Sequence, residues 1–147
     1  MERELLLNSA MSRTPSRSTP SGNDDHHKAP TILLVDDEDG IRQLLCDALV
    51  ATGYDVLQAS DGAEALRLAT DHRGEIDVLV TDVIMPHLNG LELARQLTAK
   101  RPDLRVVFIS GHIEAQILLG ADPGSVILRK PFRTEFLLLK VSEAIRS

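Results

Sequence analysis

Residues 31–39 read TILLVDDED, four aliphatic side chains (Ile32–Val35) running straight into Asp36, Asp37, Glu38 and Asp39. A short Ile/Leu/Val run with no polar alternation predicts a strand buried on both faces, because a half-exposed strand would show a period of two. Four further runs have the same character: Val56–Leu57, Val78–Val80, Val106–Ile109 and Val126–Leu128. Helical spacing fills the intervals. Ile41, Leu44, Leu45, Ala48 and Leu49 lie on one face of a helix, which Gly53 closes. Asp61 followed by Glu64 reads as a capping box for a helix through Leu66 and Ala69. Asn89-Gly90 opens a third helix (Leu91, Ala94, Leu97) that ends before Pro102. A weaker pattern covers Ile113–Leu119, and a last helix runs from about Thr134 to Ile145, with Leu137, Leu138, Val141 and Ile145 on its apolar face.

Strands alternating with helices in this way predict an α/β domain: a (βα)5, doubly wound, five-stranded parallel sheet of order 2-1-3-4-5, flavodoxin-like. The domain is expected over residues 31–147. Residues 1–30 are expected to form a disordered tail, since 12–30 (SRTPSRSTPSGNDDHHKAP) is nearly devoid of apolar side chains. His26-His27 in that tail reads as composition, not as a metal site. The tail holds four basic and four acidic residues, so the net charge of −6 over the 147 residues belongs entirely to 31–147. An acidic domain is a poor partner for a nucleic-acid backbone. The single cysteine, Cys46, excludes an intramolecular disulfide framework and a multi-cysteine zinc site. No apolar run is long enough to cross a membrane or to serve as a signal peptide, which leaves the cytoplasm as the expected compartment.

In an open parallel sheet, ligands bind beyond the carboxyl ends of the strands. The residues delivered there are Asp36, Asp37, Glu38 and Asp39 after the first strand, Asp82 after the third, Ser110 after the fourth and Lys130-Pro131 after the fifth. Taken singly, each has a structural explanation: Asp39 is expected to cap the following helix, Ser110 to sit in a turn and Lys130 to be solvated. Together they do not. Carboxylates about 5 Å apart repel by on the order of 3 kcal/mol per pair at an effective dielectric of 20. A hard divalent cation resolves that conflict: Mg²⁺ takes oxygen ligands and partners phosphate, while Lys130 offers a fixed positive charge to an anion. The residues thus point to a Mg²⁺-dependent phosphoryl site. Asp82, at the centre of the sheet between the first-strand acids and the Ser110/Lys130 side, is the expected nucleophile, and Asp36 and Asp37 hold the metal.

Ile32–Glu38, Asp82-Val83-Ile84-Met85-Pro86, Asn89-Gly90, Ser110-Gly111 and Lys130-Pro131-Phe132 together resemble the receiver domain of two-component response regulators, in the right order and over about four-fifths of the chain. The resemblance implies that Asp82 takes a phosphoryl group from a histidine kinase or a histidine phosphotransfer protein. It implies that Asp37, Asp82 and the backbone carbonyl of Ile84 bind Mg²⁺ directly while Asp36 acts through water. Ser110 and Lys130 would each hold a phosphoryl oxygen, and the Lys130–Pro131 bond would be cis. Such a domain signals, with no substrate turnover beyond promoting its own aspartyl phosphorylation and dephosphorylation. One position departs from a common pattern of the family, Ile127, which stands where many receivers carry a switch aromatic; Ile84 and His112 occupy the positions on which phosphoryl lifetime depends in the family. The Ser110-Gly111-His112 run and its following loop resemble receivers at the C-termini of hybrid histidine kinases.

After Lys130 the sequence has 17 residues, enough for the last helix, so the chain is expected to be a stand-alone receiver or relay intermediate that signals through an unknown output protein. Phe136 and Leu139 are candidate partner contacts, although core or edge packing is the stronger expectation for them. Moving a two-state equilibrium from 1:99 to 99:1 takes about 5.5 kcal/mol, and one charge-assisted hydrogen bond supplies about 1.5–3 kcal/mol. Ser110 alone therefore would not drive the switch. Two other readings compete. A haloacid-dehalogenase-like phosphohydrolase would use Asp37-Glu38-Asp39 and Ser110, but it lacks an acidic pair after Lys130 and leaves Asp82–Pro86 without a role. A pseudo-receiver would keep the fold for binding alone.

Overall fold

The computed structural model describes residues 28–111 and 126–147. The expected tail up to residue 27, the helix expected over Ile113–Leu119, His112 and the loop to residue 125 lie outside the described residues. The described elements are β1 (Thr31–Val35), α1 (Asp39–Thr52), β2 (Asp55–Ala59), α2 (Gly62–Asp71), β3 (Val78–Asp82), α3 (Gly90–Lys100), β4 (Arg105–Ser110), β5 (Val126–Arg129) and α4 (Thr134–Arg146). All four pairings are parallel and the strand order is β2-β1-β3-β4-β5. This is the doubly wound sheet that the alternating pattern predicts.

Strand alternation sorts the core into two layers. Leu33, Val35, Leu79 and Phe108 point toward α2 and α3, where they meet Ala65, Ala69, Leu93 and Leu97. Ile32, Leu34, Val78, Val80, Val107 and Ile109 point the other way, onto Leu45, Cys46 and Leu49 of α1 and Leu137 and Val141 of α4. Among the described strands, only β1 and β3 are buried along their whole length; the edge strands β2 and β5 are half covered. Burial raises the Cys46 thiol above its ordinary value, helped by Asp47 and opposed by Arg42. No helix among the described residues is long and apolar enough to cross a membrane.

The helix ends follow the expected chemistry with one exception. Gly53 closes α1 in the left-handed region at φ 113°. The Asp61 side chain accepts the Glu64 N–H at 2.8 Å, while the Glu64 carboxylate reaches back to the N–H and hydroxyl of Ser60. Asn89 caps α3 by accepting the Glu92 N–H at 2.8 Å. Asp39, expected to cap α1, does not. It is the first helical residue and pairs with Arg42 at 2.9 Å, while Glu38 occupies the cap position without a side-chain cap bond. The cause is Asp36, whose Oδ1 takes the Glu38 N–H at 2.9 Å and so draws the helix start one residue earlier.

Away from the sheet's carboxyl edge, Arg101 joins α3 to α2. Its guanidinium donates to the carbonyls of Ala69 (2.9 Å), His72 (3.0 Å) and Gly74 (2.9 Å), which neutralises the carbonyl end of α2. Arg101→Ala should leave those carbonyls without their donor. We expect a loss of about 2 kcal/mol, measured as a lower denaturation midpoint with an unchanged m-value.

Candidate functional site

Three strand ends build the site. From β1, the Asp36 N–H reaches across to Ala59 O at 3.2 Å and continues the β1–β2 ladder one residue past the strand. The turn after it is pinned from α1. Arg42 donates to the Asp36 carbonyl at 2.8 Å and to Gln58 Oε1 at 3.3 Å, and its ion pair with Asp39 completes the set. From β3, Asp82 lies in register with Ile109, and the Val83 N–H bonds Ile109 O at 3.1 Å. The Asp82 carbonyl accepts the Thr81 hydroxyl at 2.9 Å, and the Gly90 N–H bonds Val83 O at 2.8 Å, tying α3 to the strand end. From β5, the Lys130 N–H bonds Ser110 O at 2.8 Å, and the Lys130–Pro131 peptide bond is cis.

The side chains converge as follows. Carboxylate oxygens of Asp36, Asp37 and Asp82 lie within 4.8 Å of one another. Lys130 Nζ sits against the group, 2.9 Å from Asp36 Oδ2, 3.0 Å from Glu38 Oε1 and 3.1 Å from Asp82 Oδ2. Asp36 is fully buried and Asp82 nearly so, whereas Asp37 and Glu38 are exposed. Both oxygens of Asp36 are engaged, by the Glu38 N–H and by Lys130. Among the described residues, the buried Oδ1 of Asp82 has no hydrogen-bond partner.

Burial and charge act against each other on the ionisable groups of the site. Burial pushes the Asp82 carboxyl above its ordinary value; the hydrogen bond and charge of Lys130 pull it down, and Asp36 and Asp37 push it further up. Burial alone would lower the Lys130 ammonium. Its hydrogen bonds with Asp36, Glu38 and Asp82, together with the charge of Asp82, prevail and hold it above its ordinary value. Four carboxylates thus face one ammonium, an excess of negative charge that fits a hard divalent cation with oxygen ligands.

The structure brings together Asp36, Asp37, Asp82 and Lys130, as the sequence predicts. Ser110 is buried at the end of β4, the strand beside Asp82. The Ile84 side chain is half-buried against the core beneath α2 and α3. Ile127 faces the same core from β5, in register with Phe108. Phe136 and Leu139 were expected chiefly as packing residues; instead they stand 52% and 47% exposed on α4. Arg42 is the residue that sequence reasoning passed over, and Glu38, placed at the right edge by the sequence, is given its pairing with Lys130 only by the structure. Arg42 was legible as the i+3 partner of Asp39, but its reach to Asp36 and Gln58 depends on how β2 lies beside β1.

The chain resembles known proteins over most of its length. A sequence profile described as "Response regulator receiver domain" matches residues 32–142. The chain is 39% identical over 117 residues to the sensor kinase CckA of Brucella abortus, covering 78% of this chain and 12% of that protein. It is 38% identical over 117 residues to the response regulator MprA of Mycobacterium leprae, covering 78% of this chain and 50% of that one. The chain therefore spans half or less of these relatives' length. Among solved structures, a response regulator receiver protein from Sinorhizobium medicae superposes with a TM-score of 0.74 at 32% identity, over 82% of this chain and 98% of that one.

Proposed function

The chain belongs to the response regulator receiver domain family, the phosphoacceptor module of two-component signalling, and from that premise we propose that Asp82 accepts the phosphoryl group. One observation carries the assignment. Asp82 is the buried acid whose Oδ2 is held by Lys130 and whose Oδ1 has no partner among the described residues, a few ångströms from Asp36 and Asp37. An oxygen of that carboxylate attacks the phosphorus of a phosphohistidine on a kinase or phosphotransfer protein. The P–N bond breaks, its electron pair stays on the imidazole nitrogen, which takes a proton from solvent, and Asp82 becomes a mixed anhydride.

Lys130 pairs with the charge that arrives, and Ser110, at the neighbouring strand end, holds a second phosphoryl oxygen. Asp36, Asp37 and Asp82, with the Ile84 carbonyl, would hold Mg²⁺, which when bound neutralises phosphoryl oxygens during transfer. Asp36, with both oxygens already engaged, is suited to act on the cation through water. Output runs through a protein partner, and the exposed Phe136 and Leu139 on α4 are candidate contacts. The domain works in the cytoplasm, without inserting in a membrane or binding nucleic acid directly.

The test is incubation with Mg²⁺ and a small phosphodonor, followed by intact mass and peptide mapping. We expect one labile phosphoryl adduct, on Asp82, that is lost when a chelator replaces Mg²⁺. Turnover of a phosphomonoester would favour the phosphohydrolase, and the absence of any adduct would favour a pseudo-receiver.

A further inference from the structure

A lysine ammonium has three donors, and in this structure all three of Lys130 are taken, by Asp36, Asp82 and Glu38. The acceptors are not equivalent. The side chains of Asp36 and Asp82 are 0% and 5% exposed, whereas that of Glu38 is 58% exposed. A phosphoryl oxygen arriving on Asp82 can pair with Lys130 only if one acceptor lets go. Until the anhydride forms, Asp82 still carries its charge, and a buried carboxylate released from its partner at that stage is left uncompensated, which is strongly unfavourable. An exposed one is simply taken up by water.

The position of Glu38 supports a role outside the helix it precedes. It is the cap residue of α1, yet its side chain makes no cap bond, and glutamate is not among the residue types favoured there. Its backbone is held at both ends, by the N–H bond to Asp36 Oδ1 at 2.9 Å and by its carbonyl accepting the Arg42 N–H at 2.9 Å. That frame directs the side chain toward the end of β5, across 92 residues of sequence.

We propose that Glu38 is a positioning residue for phosphoryl transfer: its carboxylate occupies the third donor of Lys130 before transfer and exchanges for a phosphoryl oxygen as Asp82 is modified. Glu38 thereby holds the ammonium in place in the resting site and slows its engagement with an incoming donor. This rests on the assignment of Asp82 as phosphoacceptor.

The experiment uses the full chain with saturating Mg²⁺ and acetyl phosphate as the probe, comparing wild type with Glu38→Gln and Glu38→Ala. Both variants should be modified about three- to tenfold faster, the Ala variant more so. Magnesium affinity, read by calorimetry on the unmodified protein, should stay within about threefold of wild type. Two readouts separate exchange at Lys130 from simple repulsion between Glu38 and an anionic donor. Repulsion is screened by salt, so the rate ratio would then collapse toward unity at high ionic strength, whereas exchange preserves it. In a Lys130→Ala background the Glu38 substitution should add nothing. Unchanged or slower modification would overturn the proposal, as would a ratio abolished by salt, an undiminished effect without Lys130, or a tenfold loss of Mg²⁺ affinity. If the wild type itself takes up no phosphate, the assignment of Asp82 fails first. If it does so and the Glu38 variants match it, only the role of Glu38 fails.

Discussion

Asp82→Asn should abolish phosphoryl uptake and, in metal-free buffer at neutral pH, raise the melting temperature of the protein. Both effects have one origin. The amide is too weak a nucleophile to form the mixed anhydride, so uptake should fall to background. The same change removes a charge from a site where four carboxylates face one ammonium. The Asp82 carboxyl lies above its ordinary value because of burial, against the pull of Lys130. A carboxyl that binds its proton more tightly folded than unfolded destabilises the fold wherever it is ionised. Its destabilising contribution is complete above the raised folded value. As pH falls, the contribution shrinks and vanishes below the ordinary carboxylate value, where both states are protonated. Asparagine keeps the shape and can still accept from Lys130, so we expect a gain of about 1 kcal/mol, roughly 3–6 °C for a domain of this size. Magnesium should stabilise the wild type by linkage more than the variant and narrow the gap. Thermal melts with and without Mg²⁺, at neutral and acid pH, test each part. A variant that melts below wild type in metal-free neutral buffer would show that the Lys130 pair outweighs the crowding.

Gly90→Ala should cost about 3 kcal/mol or more and damage the site with it. A Cβ at this position would lie 2.0 Å from the Asp82 backbone oxygen, 3.0 Å from its carbonyl carbon and 3.1 Å from Thr81 Oγ1. These are backbone and buried atoms with nowhere to go. The Asp82 carbonyl is already tied to the Thr81 hydroxyl, and the Gly90 N–H is committed to Val83 O. Either α3 must lift off the sheet or the end of β3 must move, and Asp82 stands at that end. We expect a melting temperature lower by roughly 10–20 °C, together with slower uptake of phosphate by whatever fraction remains folded. Gly40→Ala serves as the matched control. A Cβ there meets nothing within 4 Å inside α1, and it should stabilise by about 0.5–1 kcal/mol. Equal effects at the two glycines would refute the close-approach argument.

The strands, their order and the principal site residues were legible because each depends on short-range pattern plus a topological rule. Apolar runs too short for helices, with helical spacing between them, leave a doubly wound parallel sheet as the economical arrangement, and such a sheet sends all its strand ends to one edge. Asp36, Asp37, Asp82, Ser110 and Lys130 could be picked out on that basis alone. The helix start at Asp39 was misread because its competitor is not local: Asp36 Oδ1 captures the Glu38 N–H and resets the cap. Gly90 could be read as part of a helix-opening pair, but its close approach to Asp82 depends on α3 lying against β3. Phe136 and Leu139 fall outside the buried stripe of α4, and a helical pattern alone does not say how wide that stripe is.

By itself, the sequence determined the layered fold and the set of groups at its carboxyl edge, since periodicity of two or 3.6 and strand direction are properties of the chain. Only the tertiary structure decided how those groups divide the charge between them. Lys130 meets Asp36 across 94 residues, Asp82 across 48 and Glu38 across 92. At such separations contact is set by strand register and sheet twist, and Coulomb interactions at 3 Å depend on placements that no local spacing encodes. For this reason Asp82 could be named from the sequence, while the hold of Glu38 on Lys130 could not.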